Sequence, residues 1–301
     1  MKWLKTDDNT DNVEVEESGG SGGGNGTGRM FGKIGGGGAI VVIIISLLLG
    51  KNPLQMLGFV NNVLPDNSQA QQGTGHIGTI TNVHADNDST FTLHVFNSTN
   101  DIWQNIFSTQ FHKVYTKPKL YLFYNHTTTG CGSASSVSGP FYCPADSKVY
   151  LDLAFFKQLS QEFQAPGDLA KAYVVAHEMG HHIQHLLGIT DQLDAARSRL
   201  SEAAYNKLSV KLELQADFYA GLWAHYAEQE KIISLDDADI NSALSAANAV
   251  GDDNLEKQAQ GYAVPETFTH GTSAQRMYWF KKGYTTGDFS QGDTFHDPSL
   301  N

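Results

Sequence analysis

Residues 168–188, DLAKAYVVAHEMGHHIQHLLG, constrain this chain more than any other stretch. Apolar residues recur there at spacings of three and four, with a capping-type Asp168 at the start and Gly188 at the end, which predicts one buried helix. Inside it lies HEMGH, from His177 to His181. Residues four apart sit one turn above each other on a helix, so both imidazoles face one point and Glu178 stands beside them. Two His ligands for a Zn2+ ion and one carboxylate base thus come from a single turn. Catalytic zinc takes three protein ligands and keeps a fourth position for water, so a third ligand must come from elsewhere in the chain.

The sequence ELQAD supplies a candidate, since Glu213 and Asp217 are four apart and share a face of a second expected helix, Ser201 to about Glu228. Glu213 is the expected third ligand, and Asp217 is expected to accept the N–H of a ligand histidine and hold its ring. The competing reading is an acidic pair on a solvated face. Leu212, Leu214, Ala216, Phe218, Ala220 and Leu222 leave little of this helix purely solvated. His182 and His185 point off the ligand face at helical spacing and read as packing or solvent histidines. A third helix is expected from Asp236 to about Val250.

Before these helices, KLYLFYN (Lys119 to Asn125) and KVYLDLAFF (Lys148 to Phe156) read as strands. Strands first and helices after imply an α+β domain, expected over residues 91–301. Residues 1–33 are acidic and then Gly-rich and are expected to be a tail that builds no core. The uncharged run between Lys33 and Lys51 holds AIVVIIISLLLG and is 17 residues long, the lower limit for a membrane span. A signal-peptide core and a buried segment are the alternatives, but a long acidic tail precedes the run, which favours an anchor over 34–50. Arg29 and Lys33 against Lys51 favour a cytoplasmic N-terminus, and Gln, Asn and Gly make 51–90 a linker. Cys131 and Cys143 lack zinc-knuckle spacing; a disulfide is the simplest reading and two free thiols the alternative. A disulfide requires an oxidising compartment, in agreement with an extracytoplasmic domain. The net charge of −12 argues against a nucleic-acid partner.

HEMGHHIQ followed by ELQADFYAG, with CGSASSVSGPFYCP and KVYLDLAFF before them and FTHGTSAQR after, resembles the bacterial neutral zinc metallopeptidase family, membrane-anchored relatives of the gluzincins. The resemblance implies a gluzincin-like domain with a short sheet and a mainly helical remainder, preceded by one transmembrane helix in the bacterial cytoplasmic membrane. It implies one Zn2+ per chain on His177, His181 and Glu213, Glu178 as catalytic base, Asp217 behind the ligands, and no organic cofactor. The expected activity is peptide-bond hydrolysis, as an endopeptidase on peptides or unfolded proteins. By the same resemblance KVYLDLAFF is the edge to which an extended substrate adds. His270 is the candidate oxyanion donor, with Tyr262 and Arg276 behind it; a loop histidine with a local hydrogen bond is the other reading. The alternative function is a non-catalytic zinc-bearing membrane-anchored binding protein, against which the presence of Glu178 argues.

Overall fold

The computed structural model describes residues 1–15, 87–124, 126–135 and 139–300. In chain order the elements are β1 (Lys2–Trp3), β2 (Val13–Val15), α1 (Asn87–Ile106, prolonged by a π turn at Phe107–Phe111), β3 (Lys119–Phe123), β4 (His126–Thr129), β5 (Gly132–Ser135), β6 (Phe141–Cys143), β7 (Lys148–Asp152) and α2 (Phe155–Gln161). There follow α3 (Asp168–Leu186), α4 (Ile189–Arg197), α5 (Glu202–Gln229), β8 (Ile233–Ser234), α6 (Asp237–Ala249), α7 (Asp252–Gln260) and α8 (Ser273–Thr286). The class is mixed α+β, predominantly helical with small sheets.

Alternation sets the sheet. In β3 and β7 the central residues Leu120, Leu122, Val149 and Leu151 are fully buried, as expected for short aliphatic strands covered on their faces. The sheet order is β2-β3-β7-β6, with β2, β3 and β7 parallel and β6 antiparallel to β7. The stretch read as one strand, KVYLDLAFF, splits after Asp152: the Asp152 carboxylate accepts the Ala154 N–H at 2.9 Å and the chain turns into α2.

The helices expected from periodicity are α3, α5 and α6. Ser201 caps α5 by accepting the Ala204 N–H, and Asp236 caps α6 in a reciprocal capping box with Asp239. Asp168 is the first helical residue rather than the cap, a place taken by Gly167. Helices α5 and α8 lie in direct backbone contact. A Cβ on Gly221 would come within 2.0 Å of the Phe280 carbonyl oxygen, and one on Gly283 within 2.1 Å of that of Phe218.

Three expectations are corrected. A helix, α1, precedes the central strands, where strands were expected to come first, and it begins at Asn87, four residues before residue 91. Its Ser and Thr side chains, unhelical by composition, bond back to carbonyls one turn earlier: Thr92 to Asp88 and Thr99 to Val95, both at 2.7 Å. Residues 1–15, read as part of a coreless tail, instead form β1, paired with β8, and β2, paired with β3. The third correction concerns the sheet edge: β7 is interior, and the strand at that edge is β6. The anchor expected over 34–50 lies outside the described residues; among those described, no helix is long and apolar enough to cross a membrane.

Candidate metal centre

The centre sits where α3 crosses α5. Gly180, inside HEMGH, faces Ala216, which lies between Glu213 and Asp217; a Cβ on Gly180 would stand 3.1 Å from both Ala216 Cα and its carbonyl oxygen. That contact is tighter than side chains ordinarily tolerate, so glycine here lets the two helices close until their polar residues meet. His177, His181 and Glu213 then offer three ligand atoms all within 4.8 Å of one another. The Nε2 of His177 is 3.1 Å from Glu213 Oε2, and that of His181 is 3.5 Å from Oε1.

The far side of each ring is tied down. His177 Nδ1 donates to Asp217 Oδ1 at 2.8 Å, which assigns its proton to Nδ1 and leaves the Nε2 lone pair for an ion. His181 Nδ1 donates to Gln184 Oε1 at 2.9 Å, and Gln184 is itself fixed by donating to the Leu212 carbonyl at 2.7 Å. Asp217, fully buried, also accepts from Tyr173 Oη at 2.5 Å and from Arg276, whose Nε and Nη2 each reach it at 2.8 Å. This fork geometry is the strong form of a buried carboxylate pair. Spacing alone pointed to Asp217; Arg276 and Tyr173, distant in sequence, gave no signal of their part in it.

The electrostatics of the cluster favour a cation. Burial alone would raise the Glu213 pKa, but His181, His177 and, more remotely, His270 hold it well below the usual carboxylate range. Burial opposes protonation of His177, yet without an ion Asp217 and Glu213 lift its pKa to about 10, so a bound cation would take the place of the Nε2 proton. Asp217 is held low against its own burial by Arg276 and His177. Glu213 at the ligand point and Asp217 behind His177 thus favour positive charge there, and two nitrogen ligands with one oxygen are a donor set that zinc accepts. The residues fit the ion.

Glu178, next to His177 in the chain, accepts the Tyr142 N–H of edge strand β6 on its Oε2 at 2.9 Å. Burial, the largest influence on it, raises its pKa. His182 is off the ligand set: it donates from Nε2 to the Thr116 carbonyl at 2.8 Å and accepts from the Tyr142 hydroxyl at Nδ1, 3.1 Å. Its burial pushes the pKa down to about 4, which keeps it neutral. The packing histidine of the sequence reading therefore steadies the strand against which Glu178 rests. A disulfide joins Cys131, in the turn between β4 and β5, to Cys143 of β6, with Cα atoms 5.8 Å apart.

His270 is buried beside Asp252, a residue the sequence did not single out. Asp252 Oδ2 accepts the backbone N–H groups of Thr269, His270 and Gly271 at 2.7, 2.6 and 2.9 Å, while Oδ1 lies 3.1 Å from His270 Nδ1. Tyr262, expected behind His270, is 62% exposed, and Arg276 turns to Asp217 instead.

A family profile described as "Putative neutral zinc metallopeptidase" matches residues 1–295. The chain belongs to this family. Among its relatives, the uncharacterized protein YpfJ of Escherichia coli strain K12 is 46% identical over 210 residues, 70% of this chain and 72% of the relative. The uncharacterized protein Rv2575 of Mycobacterium tuberculosis is 48% identical over 195 residues, 62% of this chain and 65% of that protein. No solved structure matches. Membership of the family accords with zinc at the cluster of His177, His181 and Glu213.

Proposed function

We propose that this protein hydrolyses peptide bonds, with His177, His181 and Glu213 holding one zinc ion and Glu178 acting as general base. The observation that carries the reading is the convergence of three ligand atoms within 4.8 Å with a buried carboxylate alongside that is not one of them. When bound there, zinc supplies a Lewis acid for the scissile carbonyl and a water acidified towards a pKa of about 7. Glu178, whose proton affinity is raised by burial, would accept a proton from the attacking water and pass it to the leaving amine. His270, held by Asp252, is the donor proposed for the developing oxyanion.

The outer edge of β6 faces the site, since its Tyr142 N–H already reaches Glu178. An extended peptide adding to that edge would run across the base, which favours a polypeptide substrate and endopeptidase action. No such arrangement is needed by a binding protein that only holds zinc. The test is chelation and reconstitution. Purified full-length chain stripped by a chelator should lose cleavage of unfolded casein and regain it with one equivalent of Zn2+ per chain. Undiminished cleavage by the stripped protein would refute the proposal.

A further inference from the structure

Residues 1–15 are bound to the domain by contacts to five of its elements. Val13, Glu14 and Val15 pair in parallel with Leu120, Tyr121 and Leu122 of β3. Glu14 bridges Lys119, at 2.5 Å, and Lys148. Lys2 and Trp3 pair with Ser234 and Ile233 of β8, and the Trp3 ring packs edge-on against Phe91 and His94 of α1. From α1, Asn97 Nδ2 donates to the carbonyls of Asp7 and Asn9, both at 2.9 Å, and His94 meets Asp8 at 2.7 Å. The Met1 ammonium pairs with Asp239 of α6. The family match begins at residue 1, so this segment belongs to the family's pattern as the metal helix does.

The open side of β3 is thus an interaction surface whose occupant is the chain's own first 15 residues, and this occupancy fixes the sidedness of the chain. A single membrane crossing between residues 16 and 86 would put the partners of every one of these contacts on opposite faces of the bilayer. Exchange of the segment between copies of the same orientation would not relieve this, because every domain would still face away from every N-terminus. We propose that residues 1–15 and residues 87–300 lie on the same side of any membrane the chain meets. This replaces the expected single-pass topology with a cytoplasmic N-terminus, and it holds whether or not the metal centre is a peptidase.

The test is paired labelling of the full-length chain in bacterial spheroplasts. Thr6 and Lys207 are exposed, one in the docked segment and one on α5, and Thr6→Cys and Lys207→Cys are made separately. Each is treated with a membrane-impermeant maleimide before and after detergent lysis, and only labelling above that of the parent chain under the same conditions is scored. The expected result is one shared pattern: both label before lysis, or both only after it. Labelling of one position in intact spheroplasts and of the other only after lysis would overturn the proposal.

Discussion

At the scale of single residues, the groups proposed to hold the ion are distinct from those proposed to act beside it. Asp217→Asn keeps the shape but loses the charge that orients His177, so zinc affinity should fall about 10- to 100-fold in a chelator competition. Unchanged affinity would remove Asp217 from the site. Asp252→Asn should leave zinc content intact and lower kcat about 10- to 100-fold, because it releases the loop that carries His270. Equal loss of zinc would instead make Asp252 merely structural. The cluster of His177, His181 and Glu213 and the place of Asp217 behind it were legible because a helical turn fixes what residues four apart can share. Asp252 and Arg276 were not, since nothing local to either reveals that a carboxylate at the start of α7 or a guanidinium in α8 meets a partner from another element.

At the scale of elements, the crossing of α3 and α5 decides whether there is a site at all. Gly180→Ala sets two effects against each other: alanine favours a helix by roughly 1 kcal/mol, while forced overpacking costs about 1–3 kcal/mol. Because the group in the way is Ala216 backbone, which cannot rotate aside, the second effect should win. The expected outcome is a lower Tm together with weaker zinc binding; a higher Tm with unchanged binding would show that the helices separate freely. At Gly221 the overlap with the Phe280 carbonyl is far deeper, and Gly221→Ala should destabilise the fold by about 3 kcal/mol or more in denaturant unfolding. The amphipathic helices and the two aliphatic strands could be read from periodicity. Helix α1 could not, because its Ser, Thr and Asn residues are at home in a helix only once their side chains find its carbonyls and its apolar face finds the core.

At the scale of the whole molecule, the first 15 residues complete the domain, so a piece that begins at residue 91 lacks β1, β2 and the first turn of α1. The acidic, coreless look of that segment misled because its stability comes from distant partners. Glu14 shows this: Lys119 and Lys148 lower its pKa below 4.5 in the folded chain. A carboxylate depressed on folding stabilises above its unfolded pKa, and that contribution is lost as pH falls through the folded one. Hydrogen-exchange protection of residues 13–15 should therefore weaken below about pH 4.5 relative to β7, whereas in Glu14→Gln it should be lower at neutral pH and less sensitive to acid. Equal sensitivity in both would take Glu14 out of the docking.

For zinc-assisted hydrolysis with Glu178 as its base, the decisive measurement is metal content and casein cleavage taken together on the full-length chain and its Glu178→Gln variant. The expected result is one zinc per chain in both, with cleavage in the parent and a loss of about 10³-fold in the variant. A folded parent without zinc, or a zinc-loaded variant that cleaves as fast as the parent, would contradict it.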